Sequence, residues 1–529
     1  MTGFIGMHAL QEAQPLVGSG FTPTDLARAL LIGAAVLLVS VAAVRLANRS
    51  GLPTLLIYLG IGVAIGEAGL GITFSDPTLT QVLGYAALIL ILAEGGITTN
   101  WQTIKPAVLP AAILSTLGVL VSVGVVGVGA YLLLPNLSWQ VSLLLGAIVS
   151  STDAAAVFSV LRRVPLPPRL TSVLEAESGF NDAPVVLLVI ALAQAGAPGG
   201  ADNAWWVVVV EAVIELAGGA VIGLVLGYVL GRLMKSAAPG SSGLFSIGVL
   251  SVVVLAYAVA DLAHTSGFIA AYLCALMLGN LHLPHFSAVR GFAQALGWLA
   301  QIGLFVLLGL LASPVRLIHQ IWPAVVIGLV LLLLARPASV LLSMSWFGFS
   351  LREQAFLSWA GLRGAVPVVL ATVPLTVGTP HTEWIFDLVF VLVVVFTLVQ
   401  APTLPRLAAL LHIVDESHTV DLELEATPLE ELNADVLQVR IGDASRLHGV
   451  AVHELRLPEG ANVTLVVREG KGFVPQNRDV MRHGDRLLVV TTAGARGAAI
   501  RRIRSISKAG RLAGWRRDPQ PAPDDDQAS

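Results

Sequence analysis

A chain of 529 residues that is 55% hydrophobic and only 12% charged cannot bury its apolar side chains in water-soluble cores alone, since soluble domains carry about 25% charged residues. Its formal net charge of -3 says little about partners, because the charges are distributed very unevenly along the chain. The single cysteine, Cys274, excludes a disulfide framework or a cysteine-based metal site and reads as a small buried hydrophobe.

Residues 1–20 lack the basic segment and apolar core of a cleavable signal peptide, and 1–24 read as an extracytoplasmic N-terminal segment. A bilayer core of about 30 Å needs roughly 20 apolar residues per helix. Hydropathy at that length predicts thirteen spans, at 25–45, 52–70, 78–98, 106–133, 139–162, 169–195, 204–232, 243–263, 266–283, 291–312, 317–343, 351–376 and 383–411. Alternate loops hold Arg45 and Arg49, Lys105, Arg162, Arg163 and Arg169, Arg232 and Lys235, Arg290, and Arg352. The intervening loops carry almost no basic residue except Arg316. This alternation puts the basic loops and the C-terminus in the cytoplasm and the N-terminus outside, as expected of a multi-pass protein of a bacterial inner membrane.

Composition changes abruptly after residue 411. The acidic stretch 412–434 reads as a linker, and 435–492 as a small soluble α/β unit. Within that unit VLQVRI and RLLVVTT read as strands and SRLHGVAVHEL as a short helix. VTLVVREGKGFVP reads as a hairpin turning at Glu469–Gly472. The segment 493–529 reads as a basic tail, either solvated or lying as an amphipathic helix on anionic lipid, with a disordered end.

Ionisable groups in hydrocarbon are costly and therefore candidates for function. Span six holds Glu177, Ser178, Asn181 and Asp182, and span five holds Thr152 and Asp153. Ser178 and Asp182 are four residues apart and share a helix face, with Asn181 beside them. Such an oxygen-rich face can replace part of the water shell of a monovalent cation, bound at Asp182 and Ser178. A carboxylate takes either that cation or a proton, and the competition supplies exchange. Glu177 needs a cationic partner, which Arg336 or Arg363 can provide, and reads with Arg336 as a structural ion pair. Asp153 fits a helix-terminus cap and direct ion contact equally well. Glu94 reads as a solvated residue near a cytoplasmic helix end.

Span five, STDAAAVF, and span twelve, GLRGAVPV, each place polar residues, Gly or Pro where a continuous apolar helix is expected. Paired interrupted helices point to an all-α polytopic transporter with inverted repeats and two unwound crossing helices. Asp153 can offset the positive helix ends there and Arg363 the negative ones.

These segments, STDAAAVFSVL at 151–161, ESGFNDA at 177–183 and GLRGAVPVV at 361–369, resemble the NhaP-type branch of the cation:proton antiporter superfamily over about residues 25–411. The resemblance implies a thirteen-helix homodimer whose core moves against a dimerisation domain, exchanging one cation for one proton. Asp182 would be the ion- and proton-binding carboxylate, with Ser178, Asn181, Thr152 and Asp153 completing the site. Arg336 would hold Glu177, and Arg363 would stand at the second unwound helix. Asn181 before Asp182 marks the electroneutral branch, whereas Glu94 departs from the acidic motif of span three. Residues 455–490 resemble the C-terminal regulatory domain of potassium-transport proteins, a TrkA-C or RCK-C type of unit. That resemblance favours K+ over Na+ and implies a regulatory nucleotide, for which Arg468, His453 and His483 offer donors. It implies no other cofactor and no nucleic-acid partner. The alternative is a regulated cation channel, but no filter loop of the TVGYG kind occurs.

Overall fold

Away from water each backbone N–H and C=O must be satisfied within the protein, and long apolar runs meet that demand as helices. The computed structural model describes residues 22–510, except 51–52, 68, 73, 75, 162–163, 165, 199–204, 237–240, 282, 414–421, 430–433, 443–444 and 493. Most of the expected N-terminal segment, Arg162 and Arg163, and the expected disordered end beyond 510 lie outside the described residues.

The first unit comprises α1 (Pro23–Ser50), α2 (Thr54–Ile65), α3 (Pro77–Thr98), α4 (Trp101–Leu133), α5 (Trp139–Ile148), α6 (Ala154–Leu161), α7 (Pro168–Gly196) and α8 (Trp205–Ser236). It continues with α9 (Ser242–Leu262), α10 (Gly267–Asn280), α11 (Phe286–Leu311), α12 (Pro314–Phe347), α13 (Leu351–Trp359), α14 (Ala365–Val377) and α15 (Glu383–Leu410). Among the described residues nine of these are long and apolar enough to cross a membrane, and α2, α5, α10 and α14 are shorter apolar helices. The chain is therefore a multi-pass membrane protein. Side chains cap several helix starts. Asp76 accepts from the Leu79 amide at 3.0 Å, and Ser350 and Glu353 form a reciprocal capping box at α13.

Two stretches follow one plan. A long helix with a π turn is followed by a broken helix and then by another long helix. In the first, α4 has its π turn at Leu114–Gly118, α5 and α6 form the broken element, and α7 follows. In the second, α12 has its π turn at Leu331–Ala335, α13 and α14 are broken, and α15 follows. The first π turn lies against the helical turn that follows the second, since a Cβ at Gly118 would stand 2.7 Å from Ser339 Oγ. Around this core α11 packs on α2 and α3, while α10 packs on α3 and α8. Gly62 and Gly309 let the backbones of α2 and α11 touch, each leaving no room for a Cβ against the other helix.

The second unit, residues 415–529, carries a five-stranded antiparallel sheet of order β1-β2-β5-β3-β4. Its strands are β1 (Leu422–Leu429), β2 (Ala434–Ile441), β3 (Ala461–Arg468), β4 (Lys471–Phe473) and β5 (Arg486–Thr492), followed by α16 (Arg496–Ala509). The hairpin turns where expected. Arg468 pairs with Lys471 across Glu469 and Gly470, both at positive φ, +49° and +81°.

Three sequence expectations fail here. Part of the expected acidic linker 412–434 is β1, paired along its length with β2. Its alternation Leu422-Glu423-Leu424-Glu425 is a strand period hidden under negative charge, and Pro428 suits an edge strand. SRLHGVAVHEL is not a helix. Gly449 takes φ +80°, Ala451 bridges to Val480, and only Val452–Leu455 forms a 3-10 turn. The basic tail 493–529 begins as α16, whose Ala499, Ile503 and Ile506 are buried in this unit's own core and so do not lie on lipid.

One ion pair anchors the sheet. The fully buried Asp485 carboxylate accepts from Arg468 Nε at 2.8 Å and Nη2 at 2.7 Å, and from the Arg482 amide at 2.8 Å. Burial alone would raise its pKa, but these donors hold it below the ordinary carboxylate range, and the same pair raises that of Arg468. A carboxylate depressed in the folded state stabilises above its unfolded pKa of about 4, and loses that contribution as pH falls through the folded value. We expect Asp485→Asn to destabilise this unit by about 2–3 kcal/mol at neutral pH. Faster hydrogen exchange of β5 amides in the full-length protein would report it, and the gap to the parent should close in acid.

Candidate functional site

The breaks in the two interrupted helices meet. Between α5 and α6 the chain is unwound over Ser150–Asp153, and between α13 and α14 over Gly361–Gly364. The Asp153 amide donates to Leu362 O at 2.9 Å, joining the two segments. Four helix ends then stand close together, each with orphan backbone groups. Arg363 serves the negative ends, donating from Nε to Val149 O at 2.8 Å beyond α5 and from Nη1 to Gly361 O beyond α13. Asp153 serves the positive ends. It accepts from the Ala156 amide at 3.3 Å in α6 and packs on Gly364 just before α14. A Cβ at Gly364 would collide with Asp153 Oδ2, so glycine is the residue this approach admits.

Sequence left Glu177 with two arginines to choose from, and the structure gives it Arg336. The pair is bidentate and buried, with Nη1 on Oε1 at 2.7 Å and Nη2 on Oε2 at 2.9 Å. The π turn of α12 ends just before Arg336, and Ser115 in the π turn of α4 donates to the Glu177 carbonyl at 3.2 Å. Thr152 Oγ1 donates to Glu177 Oε1 at 3.0 Å and accepts from Asn181 Nδ2. Asn181, Thr152, Glu177 and Arg336 thus form one buried chain of hydrogen bonds that fixes the unwound segment against α7.

Asp182 faces the other way. It lines a cavity of about 530 Å³, together with Ser178, Thr152, Asp153, Glu175, Glu94, Thr98, Thr99 and Arg290. Its Oδ1 accepts from Ser151 Oγ at 2.8 Å. Ser178 and Asp182 share the cavity wall, as their spacing predicts. Asn181 is 1% exposed, does not line the cavity and is turned onto Thr152. Glu94, one turn before the end of α3, is half-buried and lines the cavity wall. Two further residues belong to this face. Ser151 holds Asp182, and Glu175, which accepts from Thr99 Oγ1 at 2.7 Å, lies seven residues before Asp182. The spacing 175, 178, 182 is the one-face period of a helix and was available in the sequence. In the second unit Arg468 is committed to Asp485. His453 and His483 are exposed, with His483 stacked on His448 at 4.0 Å.

A transmembrane helical unit with paired broken helices around a buried carboxylate is the architecture of a secondary transporter. The sodium/hydrogen exchanger transmembrane family matches residues 20–410, and the TrkA-C domain matches 436–504. The chain belongs to the sodium/hydrogen exchanger family, with a C-terminal TrkA-C domain. It is 37% identical to a K(+)/H(+) antiporter NhaP of Alkalimonas amylolytica over 470 residues, 87% of this chain and 80% of that one. It is 35% identical to a K(+)/H(+) antiporter NhaP2 of Shewanella oneidensis over 465 residues, with the same shares covered. The solved sodium proton antiporter MjNhaP1 of Methanocaldococcus jannaschii shares the fold, at a TM-score of 0.64 and 23% identity over 74% of this chain and 100% of that one.

Glu177→Gln leaves Arg336 buried without its counter-charge, a loss of about 3–5 kcal/mol. Thermal unfolding in detergent should show a clearly lowered midpoint along with lost transport, and an unchanged midpoint would refute the pair's structural weight.

Proposed function

We propose that this chain is a secondary antiporter that exchanges a monovalent cation for a proton at Asp182 by alternating access. Membership of an exchanger family supports cation:proton antiport and disfavours the regulated-channel alternative. The observation that carries the assignment of the site is the position of Asp182. It is a cavity-lining carboxylate whose hydrogen-bond partner among the described residues is a neutral hydroxyl, while Glu177 beside it is neutralised by Arg336. Ser178 and the Asp182 carboxylate offer oxygen to a partly dehydrated cation, with Thr152 and Asp153 at the cavity edge. Asn181 acts through Thr152 and not by direct contact. Glu94 and Glu175 line the approach.

K+ is favoured over Na+, because the 37% and 35% identical relatives are both named K(+)/H(+) antiporters. Electroneutral one-for-one exchange accords with a crossing that holds Glu177, Asp153 and Asp182 against Arg336 and Arg363. One negative unit is left there, which either a cation or a proton cancels. The nine long helices and four shorter apolar ones among the described residues fit thirteen crossings, counting each broken helix pair as one. The loop charges put the N-terminus outside and the C-terminus in the cytoplasm of an inner membrane. The lipid-exposed apolar faces of α1 and α8, with Leu31 71% and Ile214 62% exposed, suit bilayer contact and a homodimer. The TrkA-C unit is read as regulatory. An anionic nucleotide is its favoured ligand class, reached through His453 and His483 because Arg468 is held by Asp485.

Asp182→Asn should abolish cation-dependent proton movement in proteoliposomes while the protein stays folded. In the parent the apparent KM for K+ should rise as pH falls while the maximal rate stays nearly constant, and a pH-independent KM would mean separate sites for the two ions. Truncation after residue 415 should leave exchange intact but alter its response to pH or nucleotide. A truncated protein that folds yet transports nothing would make the second unit part of the working core.

A further inference from the structure

A second cavity, of about 440 Å³, lies further along three of the helices that line the Asp182 cavity, and the two define the ends of one crevice. Helices α3, α11 and α14 line both. Along α11, Arg290, Gln294, Gln301 and Phe305 line the first cavity, while Leu310 and Leu311 line the second. Along α14, Ala365 and Val366 line the first and Leu375 the second. From Phe305 to Leu310 is about 8 Å of helix. Between the two, Val369 packs on Gly84 of α3, whose Cβ would stand 2.8 Å from Val369 Cγ1.

The wall of the second cavity is unbalanced in charge, with Glu67, Glu383 and Asp387 facing Arg316. Asp387 is 4% exposed. Its Oδ2 accepts from Arg316 Nε at 3.0 Å, and its Oδ1 is buried without a hydrogen-bond partner among the described residues. The pair is lopsided, because the Arg316 side chain is 59% exposed and that of Asp387 only 6%. The arginine can swing into water at little desolvation cost, whereas the carboxylate stays where it is, with one oxygen unused.

We propose that Asp387 forms a second monovalent-cation site at this far mouth of the crevice, and that Arg316 is the resident counter-ion an arriving cation displaces. The half-satisfied carboxylate offers oxygen ligands, Glu67 and Glu383 add negative potential at the opening, and the guanidinium raises the threshold for occupancy. This rests on the exchange reading above.

The test is exchange measured with K+ presented from either side, in right-side-out and in inverted vesicles carrying the full chain. Arg316→Gln removes an exposed side chain and should lower the far-side KM for K+ about threefold to tenfold, with a smaller change on the other side. Asp387→Asn should raise the far-side KM, and in that background Arg316→Gln should have no further effect, because the arginine acts through Asp387. K+ should also raise the thermal midpoint of Arg316→Gln more than that of the parent. Equal changes on both sides, no change in Arg316→Gln, or an undiminished effect of Arg316→Gln without Asp387 would overturn the proposal. If Asp387→Asn does not fold, the sided KM and K+-dependent midpoint of Arg316→Gln decide alone. A parent that exchanges from neither side would instead refute the exchange reading, and this site with it.

Discussion

A guanidinium that is taken out of water must be matched, and the Arg336–Glu177 pair on which the transmembrane unit depends is matched at both oxygens. The desolvation of two charges is recovered only with such geometry. Its consequences extend along the chain. The Glu177 oxygen that Thr152 also bonds ties the first unwound segment to α7, and Asn181 locks the same threonine from the next turn. With two faces of α7 so fixed, the face carrying Glu175, Ser178 and Asp182 is turned to the cavity. A pair that never touches the cavity thereby determines what does.

The crossing obeys the same electrostatic rule in backbone form. Breaking two helices in the middle of an apolar layer exposes amides and carbonyls that lipid cannot satisfy. Asp153 and Arg363 take up the exposed ends by sign, the carboxylate at helix starts and the guanidinium at helix finishes. Gly361 and Gly364 let these side chains lie directly on the backbone, since a Cβ at Gly361 would stand 2.6 Å from Arg336 Nε and 3.0 Å from Arg363 Nη1. Two guanidiniums pressed this close need carboxylates nearby, and Glu177 and Asp153 are those carboxylates.

Much of this was legible in the sequence, for physical reasons. Helical hydropathy and loop charge give the spans, and polar residues in the wrong place give the two breaks. The i,i+4 spacing puts Ser178 and Asp182 together. What failed were cases where two signals shared the same residues. Acidic side chains masked the period-2 alternation of β1, and basic ones masked the 499, 503, 506 face of α16. Arg336 and Arg363 both read as arginines within apolar spans, and only the packing of α12 on its neighbours separates the ion-pair partner from the one that serves the helix ends. The sequence places Asn181 close beside Ser178 and Asp182, on the face expected to hold the ion. Adjacent helix residues point about 100° apart, and that rotation carries it to Thr152 instead.

On the proposed reading, the arithmetic of charge also explains why cation and proton movement are coupled. Asp182 loaded with a proton or with a monovalent cation leaves the crossing neutral, and the two loaded states differ in which ion is carried, not in charge. An empty, ionised Asp182 leaves one uncompensated charge. To change the side of access in that state, the carboxylate would have to pass the apolar contact where Val369 meets Gly84, in a region of low dielectric. The unloaded carrier is therefore the species least able to switch, and a leak of either ion alone requires that species. Coupling then needs no gate that recognises ions. It follows from the energy of a single ionised carboxylate next to an apolar constriction.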